Sequence, residues 1–108
     1  MVFSMKIKKN NKIIEVKYCN NFFDRFKGFM FKKNINICLC FPKCNSIHTF
    51  FMLKPIDVVM TDKHLKILYI FKNIKPYKII LPKKDVYYTF EFPINEFEFK
   101  LSEKIKNM

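Results

Sequence analysis

Apolar and polar positions nearly alternate over residues 4–19, where Met5/Ile7 and Ile13/Ile14/Val16/Tyr18 flank Lys9-Asn10-Asn11-Lys12. A period of two around an Asn-Asn pair predicts a β-hairpin starting at Ser4, because asparagine tolerates the turn conformation. The period then changes. In Asn20-Asn21-Phe22-Phe23-Asp24-Arg25-Phe26-Lys27-Gly28 the phenylalanines stand at helical spacing between an Asn cap and a Gly stop. One short helix is therefore predicted near residues 21–28. Residues 36–41, 46–53, 56–61, 65–71, 77–81 and 86–92 are rich in β-branched and aromatic side chains and read as strands. Asp62-Lys63-His64 makes a tight turn between two of them, so residues 56–71 form a second predicted hairpin. Pro42, Pro55, Pro76, Pro82 and Pro93 fall at segment edges, where a missing N–H does least harm. Residues 95–100 alternate Glu and Phe and fit a helical turn or a strand equally. The predicted class is mainly β (α+β), a small curled sheet or partly open β-barrel carrying one short helix.

Composition agrees with one folded unit. The 108 residues suit a single domain spanning 1–108, and 50% hydrophobic with 18% aromatic content is enough for a packed core. Twenty-one Lys and Arg against nine acidic residues give a net charge of +12. Such a balance invites nucleic acid, an acidic membrane surface or an acidic protein as partner. Yet Arg25 is the only arginine, the lysines are spread along the whole chain, and base-edge recognition favours arginine. A chain rich in Lys, Asn, Ile and Phe, and without Ala or Trp, fits a compositional origin for much of this charge. Nucleic acid is accordingly not the expected partner. Residues 1–8 lack the uninterrupted apolar core of a secretion signal, and no apolar run is long enough to span a bilayer. Four cysteines in that setting are expected to be reduced thiols in a cytoplasmic monomer.

Rare residues mark local need. Gly28, the only glycine, stands where a helix ends in a conformation costly to other residues. Arg25 among so many lysines suggests a planar, bidentate task, either structural or toward a ligand. Cys38, Cys40, Cys44 and His48 have the composition of a four-ligand metal set. Cys38 and Cys40, however, sit among Ile37, Leu39 and Phe41, where cysteine serves as a small buried apolar residue. No metal and no cofactor are expected. Cys44, His48 and Asp57 are the candidate catalytic residues, as nucleophile, base and orienting carboxylate. On a strand over residues 46–53, His48, Phe50 and Met52 would share one face. Asp57 opens an apolar strand and calls for a cation such as Arg25 or His48, and Glu91 between Phe90 and Phe92 poses the same question. Arg25, His48, Asp57 and Glu91 are thus the candidate ligand-binding constellation.

These residues carry a family pattern. Cys44-Asn45-Ser46-Ile47-His48-Thr49-Phe50-Phe51-Met52, followed by Pro55-Ile56-Asp57-Val58-Val59, resembles the core signature of domain of unknown function 192. Arg25-Phe26-Lys27-Gly28-Phe29-Met30 resembles its Arg-x-x-Gly-Leu-Met element. Lys75-Pro76 and Phe90-Glu91-Phe92-Pro93 are similar to its Lys-Pro and Leu-Glu-Leu-Pro segments, in order. The likeness covers residues 16–105. Ile94-Asn95 and Leu101-Ser102-Glu103-Lys104-Ile105 depart from the glycine-containing turns common in the family, and Cys38 and Cys40 replace plain apolar residues. The resemblance implies a compact β-rich domain of bacteria and archaea with no established activity.

Three functions follow in order of support from the residues. The first is a binding or interaction module for a small ligand or protein, since polar groups are embedded in apolar strands without a recognised catalytic arrangement. The second is a hydrolase or transferase using Cys44 with His48. The third is nucleic-acid binding through the lysine-rich surface.

Overall fold

The computed structural model describes residues 5–106. Ser4, the predicted start of the first hairpin, lies outside them, as do the first residues of the segment read for a secretion signal. Within the described residues the chain runs β1 (Met5–Lys9), β2 (Lys12–Tyr18), α1 (Phe22–Lys27), β3 (Cys38–Pro42), β4 (Ile47–His48), β5 (Ile56–Thr61), β6 (Ile67–Ile74), β7 (Ile79–Ile80) and β8 (Tyr88–Pro93). Six strands form one sheet in the order β1-β2-β3-β8-β5-β6, and β4 pairs with β7 in a separate ribbon. Strands β2 and β3 are parallel, joined by a crossover containing α1, and the other neighbours are antiparallel. No described helix is long and apolar enough to cross a membrane.

Local chemistry explains most of these elements. Asn10 and Asn11 close the first hairpin with φ of 52° and 67°, the left-handed pair that a two-residue turn requires. In the second hairpin, Asp62 Oδ1 accepts from the amides of His64 and Lys66, and the turn is made by the carboxylate. At α1, Asn21 Oδ1 accepts from the Asp24 amide and Gly28 ends the helix with φ 48°, ψ −127°. The spacing of phenylalanines is a poorer guide there. Phe23 and Phe26 are exposed, so the caps and the tertiary ties of the helix, rather than those two rings, secure it. The Phe22 side chain lies outside the described atoms.

Alternation along the three central strands divides the core into two layers. Cys38, Cys40, Val59, Phe90 and Phe92 pack on one side with Ile7, Ile67 and Ile105. Leu39, Phe41, Ile56, Val58 and Met60 pack on the other with Phe29, Met52 and Ile80. The sheet curls without closing by strand pairing. Its gap is bridged by the C-terminal segment: Ser102 and Glu103 exchange backbone hydrogen bonds with Ile67 of β6, and the Glu103 carboxylate pairs with Lys9 of β1 at 2.7 Å. Residues 95–100 form no regular element; Phe97 is buried and Phe99 packs beside it in the first layer.

The predicted strand over residues 46–53 is the main correction to the fold. Only Ile47 and His48 pair, because the chain turns at Phe50-Phe51, with Phe51 at φ 61°. Thr49 holds that turn. Its hydroxyl donates to the Lys75 carbonyl at 2.7 Å and accepts from the Lys78 amide at 2.8 Å. His48 and Met52 consequently line the same cleft without belonging to one strand.

Candidate ligand-binding site

The end of α1 and residues 43–48 stand over the second layer of the sheet and leave a cleft of about 310 Å³ between them. Its floor is Glu91 in the central strand β8, flanked across the sheet by Leu39 and Val58. Arg25, Lys27 and Gly28 line one wall, and Lys43, Cys44 and His48 the other. Glu91 is 2% exposed and its Oε1 has no hydrogen-bond partner. Burial alone raises its pKa from 4.5 to about 8, so at neutral pH the floor is a neutral carboxylic acid.

Gly28 lies directly against the buried Glu91 side chain at the cleft. A Cβ built at Gly28 would lie 3.5 Å from Glu91 Oε1, an ordinary contact, so space alone does not demand glycine. The backbone does, since φ 48° with ψ −127° is a combination essentially reserved for glycine. Gly28→Ala is expected to cost about 1–3 kcal/mol, read as a fall in urea midpoint at constant m-value.

Arg25 performs the planar task that its rarity suggests, toward backbone rather than a carboxylate. Nη1 donates to the Pro42 carbonyl and Nη2 to the Lys43 carbonyl at 3.1 Å. The guanidinium thus ties α1 to the end of β3 while its flank faces the cleft. His48 is half-buried. Its Nδ1 accepts from the Phe50 amide at 3.2 Å, which leaves Nε2 to carry the proton of the neutral ring. The imidazole lies against Phe50 and Phe26, with ring centroids at 5.0 and 5.7 Å.

Cys44 is the one half-buried thiol of the four cysteines. Its Sγ donates to the Ser46 carbonyl at 3.1 Å. His48 Nδ1, the ring's acceptor, takes the Phe50 amide while the Cys44 thiol turns to the Ser46 carbonyl, so the nucleophile–base hydrogen bond that activates a thiol is not formed here. Cys38 and Cys40 belong to the opposite layer, and burial pushes the Cys40 thiol up to about 12 and Cys38 upward as well. Strand parity therefore splits the Cys-x-Cys-x3-Cys-x3-His set across the sheet.

Asp57 stands apart from the other candidates. Strand register sets it beside Phe92 while Glu91 lies beside Val58, and successive residues face opposite sides. Its carboxylate accepts from the amides of Asn73 and Asn95 at 2.7 and 2.9 Å and pairs with Lys72 at 2.8 Å. The cation expected beside Asp57 is thus Lys72, neither Arg25 nor His48. Arg25, Cys44, His48 and Glu91 come together; Asp57 does not. Sequence reasoning missed Lys27 and Lys43 as cleft residues, and their adjacency to Gly28 and Cys44 was the available signal.

The family model DUF192 (Uncharacterized ACR, COG1430) matches residues 4–103. The chain belongs to the DUF192 family. Among relatives of this DUF192 domain is a UPF0127 protein of Thermococcus kodakarensis, 38% identical over 86 residues, covering 74% of this chain and 54% of that protein. A UPF0127 protein of Thermococcus sibiricus is 34% identical over 94 residues, covering 82% of this chain and 60% of that protein. The DUF192 chain therefore spans only a little over half the length of these curated relatives. A crystal structure described as a putative transcription regulator from Sinorhizobium meliloti shares the fold with TM-score 0.79 at 13% identity, over 95% of this chain and 91% of that one. A protein of unknown function from Novosphingobium aromaticivorans does so with TM-score 0.71 at 13% identity, over 84% and 72% of the two chains. At that identity these two structures establish the DUF192 architecture alone.

Proposed function

We propose that the chain is a small-molecule-binding module, a single cytoplasmic domain whose ligand is a compact organic anion seated over Glu91. The observation that carries this reading is the buried, unpartnered Oε1 at the floor of a cleft. A buried polar atom without a partner costs about 1–3 kcal/mol, and its retention calls for an explanation beyond folding. A ligand oxygen would supply the missing partner by accepting the proton of the neutral acid. The walls carry Arg25, Lys27 and Lys43 and no ionised carboxylate, so the field at the mouth draws anions. A volume of about 310 Å³ suits a small metabolite rather than a chain of a polymer.

The single glycine supplies a clean reporter. Gly28 contributes the only glycine amide cross-peak of a nitrogen–proton correlation spectrum, and it lies at the cleft. Titration with small dicarboxylates and phosphate monoesters is expected to move that cross-peak and those of Lys43 to His48, whereas neutral diols of similar size leave them in place. A Gly28 cross-peak indifferent to every anion at millimolar concentration would remove the proposal.

A further inference from the structure

A second surface, separate from the floor of the cleft, carries its own signature. Phe31, Phe51 and Tyr77 come from three different loops and meet as one exposed group, with centroids 5.7 Å apart for Phe31–Phe51 and for Phe51–Tyr77. Their exposures are 65%, 47% and 61%. All three also adopt the left-handed backbone conformation, at φ 62°, 61° and 64°. That conformation is an outlier for a bulky side chain and costs about 1–2 kcal/mol per residue. Glycine or asparagine would occupy these positions at lower cost. The chain instead presents three strained rings to solvent, and strain of this kind gathers at working surfaces.

The surroundings specify a partner. Phe50 extends the group toward Tyr77 at 6.4 Å, and Leu53 is exposed beyond the same turn. On the other side Ile79 and Leu81, at 59% and 68% exposure, line a groove whose rim holds Lys75, Lys78 and Lys83. Among the described residues the groove lining holds no acid, and the segments 20–54 and 75–84 that supply the face's residues contain a single acid, Asp24, against ten Lys and Arg, of which Arg25, Lys27 and Lys43 line the cleft. Asp24 is already paired with Lys17 at 3.7 Å. The protein's acids gather elsewhere, with Glu96, Glu98 and Glu103 in the C-terminal segment.

We infer that this face docks on an anionic lipid surface, its rings and aliphatic side chains entering the headgroup region while the lysines meet lipid phosphates. Charge complementarity selects an anionic partner. The apolar chemistry selects lipid over single-stranded nucleic acid. Phe31 and Phe51 lie face to face, interplanar angle 29°, which consumes ring faces a base would stack on. Exposed Leu53, Ile79 and Leu81 offer no platform for a base but partition readily into an interface.

The test uses vesicles of equal parts phosphatidylserine and phosphatidylcholine against pure phosphatidylcholine, read by co-sedimentation. The protein is expected to pellet with the anionic vesicles and stay in solution with the neutral ones. Phe51→Asn with Tyr77→Asn removes two rings yet suits the left-handed backbone, so the fold is kept while vesicle affinity drops about tenfold or more. Because the chain has no tryptophan, Phe51→Trp places a single fluorophore on the face, and its emission is expected to shift to the blue on anionic vesicles. Equal partition to both vesicle types, an unmoved emission maximum, or undiminished binding by the double asparagine variant would each overturn the inference. So would ring-dependent binding to poly(U) that exceeds binding to the vesicles.

Discussion

Glu91→Gln is expected to be more stable than the parent at pH 8 and nearly equal to it at pH 4. The reason is proton linkage. The folded-state pKa is about 8 against 4.5 for a free glutamate, so the folded protein holds the proton more tightly than the unfolded chain. A raised folded pKa means that stability from this group is fully present below the unfolded value. It is lost progressively as pH rises through the window from 4.5 to about 8. Within that window the slope is about 1.4 kcal/mol per pH unit, a total of a few kcal/mol. Glutamine cannot ionise and keeps a similar shape, so the variant lacks this slope. Urea midpoints measured across the window, taken as variant minus parent, isolate Glu91 from every other titrating group. Parallel stability curves for the two proteins would show that Glu91 is ionised at little cost, and the neutral-floor reading would fall. The Gly28 amide offers an independent check, since it should follow the Glu91 titration with a midpoint near 8 in the parent and none in the variant.

That the acid faces a cleft was only partly legible beforehand. Each strand reveals its own parity: Phe90 and Phe92 share a side, so Glu91 must take the other. Parity within one strand says nothing about parity between strands. The register that sets Asp57 beside Phe92 and Val58 beside Glu91 is a tertiary fact, and it separates two carboxylates that read alike in sequence. Local chemistry was more visible. The Asn10-Asn11 turn, the Asn21 cap, Gly28 and the prolines at strand ends act through backbone conformation, which a few neighbouring residues determine. The turn at Phe50-Phe51 was hidden because its residues have strand propensity, and its stabilising partners, Lys75 and Lys78, lie more than twenty residues away. The ring cluster was hidden for the same reason.

Asp57→Ala should have the opposite sign from Glu91→Gln and a comparable size. Between Ile56 and Val58 the pairing with β6 shifts register, so the partner strand carries an extra residue opposite Asp57. The amide freed by that bulge belongs to Asn73, and Asp57 Oδ1 takes it at 2.7 Å. Oδ2 takes the Asn95 amide at 2.9 Å, just after β8 ends, and also meets Lys72. One carboxylate, 4% exposed, therefore secures the bulge and the exit of the central strand together. Its removal leaves two amides without acceptors and Lys72 with the looser Glu98 contact at 3.7 Å, a loss of about 3–5 kcal/mol. For a domain of this size that corresponds to a fall in Tm of about 15 °C or more. Asp57→Asn is expected to fall between, since one oxygen remains while the new amide group confronts an N–H donor. Near-parental stability of Asp57→Ala would mean that the bulge is held by the strands themselves. The anion response of Gly28 should survive in whatever fraction of Asp57→Ala remains folded, because Asp57 works on the far side of the sheet. Two buried acids in adjacent strands thus divide their roles: one is fully partnered and holds the sheet in register, and the other lacks a partner and faces an open cleft.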